Sequence, residues 1–285
     1  MPELPEVQTT VNGLNRTVRK RTITAVSTSY NSAYHAGKDN IKDPKFFKKF
    51  KSLVVGRKIL EARRRGKNVL INLSGGYTVI THMKMTGHFV YDRPDYPYCR
   101  LDFILDNGKH LTLSDIRKFA KVTIVKTSEV EKCLHLKHLG PEPLEKSFKL
   151  GAFSLQLIKR PIGRIKTVLM DQSLIAGIGN IYSDEILWRA LVHPLSIVKE
   201  IPERNLKLMF KAMKETLKKG IDFGGDSMSD YRNIKGERGK FQDYHQAYRR
   251  KGKPCMKNGC KGIIQRIVVG TRSAHFCSVH QKLYK

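Results

Sequence analysis

The sequence predicts an α+β chain, with a β-rich first part, a helical second part and a small cysteine-bearing module at the end. Three observations carry that reading. Apolar and polar residues alternate from Arg57 to Tyr91 and again from Leu101 to Leu113, the period of half-buried strands. After Leu139-Gly140-Pro141-Glu142-Pro143 the period lengthens to that of helices. Three of the five cysteines then crowd between Cys255 and Cys277.

In chain order, a first helix is expected from about Pro5 to Asn15, since Pro and Glu suit a helical first turn. A short second helix is expected over Pro44 to Lys51. Gly75-Gly76 punctuates the alternating stretch as a hairpin turn. Leu101, Phe103 and Leu105 alternate before Asp106-Asn107-Gly108, and Leu111 and Leu113 alternate after it, which predicts a second hairpin. Beyond the break, residues 164–171 and 179–190 read as helices joined by Ile175-Ala176-Gly177-Ile178-Gly179-Asn180. Leu206, Met209, Phe210, Met213 and Leu217 recur at helical spacing and should end at Gly220. From Gly224 to about Gly239 the chain is rich in Gly, Asp and Ser and reads as a loop.

Composition narrows the class. Lys and Arg number 54 against 25 Asp and Glu, a formal net charge of +29 over 285 residues. The excess is spread along the chain: residues 1–145 carry 26 basic and 14 acidic side chains, and residues 146–285 carry 28 and 11. A hydrophobic fraction of 40% is enough for packed cores, so this is no disordered basic tail. A folded body this cationic points to a polyanion, with nucleic acid the default partner. No basic-then-apolar leader and no membrane-length apolar run is visible. Clustered cysteines favour metal over disulfides, so an intracellular, cytoplasmic setting is expected.

Cys255 and Cys260 have four residues between them, and Cys277 and His280 have two. The pairs flank a β-type stretch, Ile263 to Val269, and Arg266 to Ser273 can form a hairpin with Gly270 at its tip. Four such ligands suit a closed tetrahedral Zn²⁺ site, and a module this short needs the metal to fold. Cys99 and Cys133 stand apart and read as inert residues of the apolar interior. The Gly177–Asn180 turn opens a helix whose first amides can hold a phosphate, with Asn180 adding a donor; Lys159, Arg160, Arg164 and Lys166 form a basic strip upstream. A plain helical hairpin is the alternative.

Pro2-Glu3-Leu4-Pro5-Glu6 admits two readings. One is simply a helix start. The other is chemical: removal of Met1 would leave Pro2 with a secondary amine. An α-amino group titrates near pH 8, so a usable fraction is uncharged and nucleophilic at neutral pH. It can form an iminium with a sugar carbon, with Glu3 beside it as acid or base.

Taken together, these segments resemble the formamidopyrimidine-DNA glycosylase and endonuclease VIII family over nearly the whole chain. Pro2 to Val7 resembles its N-terminus and Arg64-Arg65-Gly66-Lys67 its β-hairpin lysine motif. His82 to Gly87 resembles its wedge-methionine loop, Ser114 to Phe119 its void-filling Arg and Phe, and His138 to Leu144 its linker. Asp171-Gln172 with Ile175 to Asp184 is similar to its helix–two-turns–helix signature.

The resemblance implies a bilobal fold: an N-terminal β-sandwich catalytic domain over 1–140, a helix–two-turns–helix domain over 141–224, and a lesion-capping loop with a zinc-finger hairpin over 225–285. It implies a monomeric base-excision enzyme acting on double-stranded DNA that contains oxidised purines or abasic sites. Pro2 would attack C1′, the base would leave, and β- then δ-elimination would follow. Glu3, Lys67 and Arg272 would assist; Met85, Arg117 and Phe119 would fill the gap left by the extruded nucleotide; Tyr98, Arg164, Lys166 and Asn180 would contact DNA. Glu6, Ser227, Asp230 and Tyr231 would form the base pocket. Cys255, Cys260, Cys277 and His280 would hold zinc, with His275 the alternative fourth ligand.

The finger departs from the common form in its four-residue spacing and in His280, where Cys is usual. Tyr98 stands where many members have a phosphate-contacting His, and Lys84 is unusual in the wedge loop. Two other functions fit parts of the pattern: an endonuclease VIII-like enzyme for oxidised pyrimidines, or a zinc-containing nucleic-acid-binding protein without catalysis.

Overall fold

The computed structural model describes residues 1–228 and 230–285, and Ser229 of the capping segment lies outside the described residues. The chain forms two compact units, residues 1–137 with 223–240 and residues 138–222 with 241–285.

In the first unit, helix α1 (Leu4–Thr17) and helix α2 (Pro44–Val54) accompany two antiparallel four-stranded sheets. One sheet runs β1 (Ile23–Thr28), β6 (Cys99–Leu105), β7 (His110–Ser114), β5 (His88–Tyr91). The other runs β2 (Ile59–Arg65), β3 (Asn68–Leu73), β4 (Tyr77–His82), β8 (Lys121–Lys126). Alternation built them: Leu101, Phe103, Leu111 and Leu113 of one sheet and Ile59, Val69, Ile71, Val79 and Val122 of the other share one buried core. Val7, Val11 and Leu14 of α1 join it, one apolar stripe at helical spacing.

The segment expected to stand with the finger folds with this unit instead. Ile234 enters its core, and Gly13 of α1 is the accommodation: a Cβ there would lie 2.6 Å from the Ile234 side chain.

The second unit contains α3 (Leu150–Leu157), α4 (Ile165–Met170), α5 (Asn180–Ala190) and α6 (Glu203–Asp222), then the hairpin β9 (Ile264–Val269) and β10 (Arg272–Cys277). Helix α6 runs past Gly220, its expected end, because Gly220 is buried within it beside Leu217. Met209, Met213 and Leu217 face inward at helical spacing. Glu185 of α5 is buried and accepts the backbone N–H groups of Gln246, Ala247 and Tyr248 at 2.9–3.0 Å, which fixes the chain leading to the finger. Among the described residues, no helix is long and apolar enough to cross a membrane.

Candidate active site and nucleic-acid interface

In the first unit the site begins at the N-terminus of α1. Met1 is 40% exposed, whereas Pro2 and Glu3 are buried. Glu3 is the N-cap of α1 and forms a reciprocal capping box with Glu6: each carboxylate accepts the other's backbone N–H, that of Glu3 reaching Glu6 Oε2 at 2.8 Å. The helix-start reading is therefore realised, and it orients the carboxylate that the chemical reading needs.

Glu6 also holds the capping segment. Its Oε1 accepts the Asp226 N–H at 2.7 Å, and its carbonyl accepts from the Tyr231 hydroxyl at 2.9 Å. Gly225 sits at φ +85°, and a Cβ there would lie 2.9 Å from Glu6 Cγ, so this approach requires glycine. Ser227 Oγ donates to the Tyr231 carbonyl and accepts from the Gly239 N–H, both at 2.9 Å. Burial pushes the Tyr231 phenol far above its usual range, so it stays a donor. Ser227 and Tyr231 thus hold the segment folded on α1; the side chain of Asp230 is only partly buried.

Sheet register gathers the other candidates of this unit. Asn68, His82 and Lys121 form one cross-strand row at an end of β3, β4 and β8. The Gly66-Lys67 turn, the loop carrying Met85 and the loop carrying Arg117 and Phe119 all leave from that end. Lys67 is buried in its turn, where Arg64 reaches Gln8 of α1 at 3.1 Å and the Gly66 carbonyl at 3.1 Å.

His82 received no role from the sequence. Burial, then the charges of Lys84, Lys67 and Lys121, lower its pKa to about 3. Its Nδ1 accepts the Lys84 N–H at 3.0 Å, so a neutral imidazole lies within the field of Lys67.

Asp115 is the second residue the sequence left unassigned. Fully buried, it accepts from Thr86 Oγ1 at 2.5 Å, the Tyr30 hydroxyl at 3.1 Å and the Ala120 N–H at 2.7 Å. Thr86 in turn accepts the Arg117 N–H at 3.1 Å. One carboxylate therefore ties the Met85 loop to the Arg117–Phe119 loop. Met85 is 37% and Phe119 48% exposed, so neither is a core residue. The Arg117 guanidinium lies 4.6 Å over the Phe119 ring. Tyr98 is exposed, at φ +60°.

In the second unit, Gln172 shapes the double turn: its amide donates to the Met170 and Ile178 carbonyls at 2.8 and 2.7 Å and accepts the Gly177 N–H at 2.8 Å. Gly177 takes φ +96°, and Gly179 caps α5 with Asn180 as its first residue. Gly140 of the linker packs on this turn, where a Cβ would meet the Leu174 backbone at 2.6 Å.

Lys166 departs from its expected place on a basic surface. It is fully buried, and its ammonium donates to Asp184 Oδ1 at 2.6 Å, Ser183 Oγ at 2.8 Å and the Asn180 carbonyl at 2.8 Å. It positions the first turn of α5 from inside. Asp184 also accepts from the His275 backbone N–H at 3.0 Å, and its Oδ2 lies 3.0 Å from His275 Nδ1. Arg164 and Arg272 are exposed, and the hairpin tip at Gly270 lies beside Thr167, three residues from Arg164.

Cys255, Cys260, Cys277 and His280 bring their ligand atoms within 4.8 Å of one another, a group able to hold one metal ion. Cys260 and Cys277 sulfurs are 3.6 Å apart, and His280 Nδ1 is 3.3 and 3.7 Å from the Cys255 and Cys260 sulfurs. Bond lengths usual for tetrahedral zinc would give separations of about 3.8 Å and about 3.6 Å. His280 Nε2 faces the Trp188 carbonyl at 3.2 Å, which leaves Nδ1 to the metal. His275, the alternative ligand, is instead engaged with Asp184. Cys99 and Cys133 are half-buried and outside the cluster.

The chain is similar to known proteins over nearly all of its residues. Residues 1–122 match the formamidopyrimidine-DNA glycosylase N-terminal domain and residues 139–232 its H2TH domain. The chain is 36% identical to the formamidopyrimidine-DNA glycosylase of Pelotomaculum thermopropionicum, over 99% of this chain and all of that one. It is 38% identical to that of Pediococcus pentosaceus, over 97% of this chain and 98% of that one. Among solved structures it is similar to Lactococcus lactis Fpg in complex with DNA containing an abasic site, at TM-score 0.87 and 30% identity, covering 98% of this chain and 99% of that one. It is equally similar, at TM-score 0.87 and 31% identity, to the wild-type form of that protein in complex with N7-benzyl-Fapy-dG containing DNA, covering 99% of this chain and 100% of that one. The chain belongs to the formamidopyrimidine-DNA glycosylase family.

Proposed function

We propose that this chain excises oxidised purines from double-stranded DNA and then cleaves the abasic site. The observation that carries the reading is the buried Pro2-Glu3 start of α1, with Glu3 and Glu6 fixed by their capping box in a chain that matches members of this family over nearly all of its residues. A damaged base cannot be processed inside the stack, so the nucleotide is extruded and the gap needs an apolar plug. The exposed Met85 and Phe119, braced through Asp115, suit that task. Arg117 beside them can hydrogen-bond the orphaned partner base.

After Met1 is removed, the Pro2 nitrogen lone pair forms a bond to C1′, the glycosidic electrons leave with the base, and the nitrogen gives up its N–H proton, which neutralises the departing base. The C1′–O4′ bond then opens, O4′ takes a proton from Glu3, and an iminium remains. Loss of a C2′ proton expels the 3′ phosphate, and a second elimination expels the 5′ phosphate. Lys67 and Arg272 bind phosphates and assist proton transfer, and Arg164 and Asn180 hold the backbone. Zn²⁺ fits the three thiolates and His280, where it would stabilise the finger that carries Arg272.

Borohydride trapping on DNA containing 8-oxoguanine opposite cytosine tests the mechanism. A covalent adduct should form with the wild type and be lost with Pro2→Gly. Equal trapping by both removes Pro2 as nucleophile. Glu3→Gln should slow ring opening, and so formation of the trapped adduct, by about 10²–10⁴-fold, the usual range for a positioned acid or base. Faster excision of thymine glycol than of 8-oxoguanine would instead favour the oxidised-pyrimidine reading.

A further inference from the structure

A cavity of about 650 Å³ opens in the first unit, and its wall includes Tyr34, Lys42, Lys84, Arg117, Phe119 and Lys121. Its size is that of a small-molecule site rather than of a single ion. Lys42 is 5% exposed, and its ammonium donates to the Lys118 carbonyl at 2.5 Å and lies 5.1 Å over the Tyr30 ring. Among the described residues, no carboxylate lies within ion-pair distance of Lys42, Lys84 or Lys121. Asp115, whose charge acts on Lys42, is already engaged by Tyr30, Thr86 and Ala120. The region is therefore a concentration of uncompensated positive charge. Its field is felt around the cavity: burial and the charges of Lys42, Lys38 and Lys121 hold the His35 imidazole below its usual range.

The cavity also offers flat surfaces. Tyr34 is 80% exposed, its ring touched by the Lys38 ammonium 4.0 Å from its centroid and by the His35 ring at 5.2 Å. Phe119 presents its ring at 48% exposure, with Arg117 over it. Cations that seat a phosphate beside rings that stack a base are how proteins hold unpaired nucleotides.

We propose that this cavity binds one nucleotide of the strand opposite the lesion, its phosphate on Lys42, Lys84 and Lys121 and its base against Tyr34 and Phe119. The choice of strand rests on the function proposed above. There, Pro2 and Lys67 act on the damaged strand, while Arg117 faces the orphaned partner, and it is Arg117 and Phe119 that form the cavity wall. The kinked duplex would thus be gripped on its undamaged strand by a site separate from the chemistry.

The test uses a duplex with a tetrahydrofuran abasic analogue, whose opposite strand carries a single neutral methylphosphonate at successive positions around the lesion. With wild-type protein, one position should weaken binding about tenfold. With the double variant Lys84→Gln/Lys121→Gln that same position should become indifferent, and the salt slope of binding should fall by about one, the value for one lost phosphate contact. Methylphosphonates in the damaged strand should affect both proteins alike. Tyr34→Ala should lose affinity several-fold and Tyr34→Phe should restore it. The proposal is overturned if the double variant binds as tightly as wild type, or stays sensitive at every position where wild type is. Melting curves guard against misfolding, and removing mutually repelling lysines should leave the melting temperature unchanged or raised. Borohydride trapping separates the two readings: if no adduct forms but the methylphosphonate pattern appears, the cavity stands and the catalytic reading falls.

Discussion

Asp115 and His82 are individual residues whose surroundings, more than their identities, give them weight. Asp115 accepts three hydrogen bonds in a site without solvent. Asp115→Ala would leave the Thr86 and Tyr30 hydroxyls and the Ala120 N–H unpaired, and each buried unsatisfied group costs about 1–3 kcal/mol. Urea unfolding should register a loss of roughly 3 kcal/mol or more, several such groups acting together. The Met85 and Arg117 loops should lose hydrogen-exchange protection in the same variant.

His82 makes a prediction in pH. Its folded pKa of about 3 lies below the ordinary 6.5, so the unfolded chain binds the extra proton first. Stability contributed by the neutral imidazole is complete above 6.5 and declines as pH falls toward 3. At pH 5 the loss is on the order of 2 kcal/mol by linkage, and His82→Asn should flatten that part of the stability profile. Neither residue was legible in the sequence. A lone Asp between a strand end and Ile116-Arg117-Lys118 looks like a solvated charge, and His82 looks like the start of a loop motif. The sheet register and the loops that close over these residues are long-range facts.

Among the elements, the capping segment 223–240 is a loop with an interior. Gly239 lies so near the Gly225 carbonyl that an added Cβ would be 2.2 Å from that oxygen. Gly239→Ala should therefore unseat the segment from Glu6. Hydrogen exchange at residues 223–240 should rise, while the strands of the first unit keep their protection, because the clash is confined to the segment's own backbone. Composition foretold a loop here, and the strands and most helices followed from periodicity, since one buried face per element leaves its period in the sequence. The partners of Ser227 and Tyr231 did not follow: their hydroxyls are alike on paper whether they meet a ligand or the chain itself. Lys166 deceived in the same way. A lysine in a run with Lys159, Arg160 and Arg164 reads as surface charge, and only the approach of Asp184 and Ser183 reveals it as an internal strut.

For the whole molecule, charge and metal set the terms. A net charge of +29 means binding to any duplex should weaken linearly in log–log form as salt rises, damaged or not. Lesion preference should persist across that range, since the plug proposed for Met85 and Phe119 is apolar. A lesion advantage that vanishes with salt would mean the wedge contributes nothing. With zinc bound as proposed, a chelator, or replacement of Cys277 by Ser, should release about one equivalent of metal and expose β9 and β10 to exchange, because a module this small would fold on its metal. Retention of zinc by the Cys277 variant would discard the ligand set. The spacing of the cysteines is enough to make this module readable, because so few residues between ligands leave little choice of partner. The shape of the cluster then chooses His280 over His275.

That choice follows from a bond made elsewhere. His275 belongs to a continuous buried chain, Lys166 to Asp184 to His275, that runs from α4 through α5 into the finger hairpin. The finger is thus no interchangeable cartridge. Grafting another hairpin onto this body must reproduce the side chain at position 275, or Asp184 keeps its lysine and a backbone N–H but loses the imidazole. A chimera that binds zinc perfectly well could then still present Asn180 and its helix poorly to DNA, and restoring a histidine at that one position should repair it.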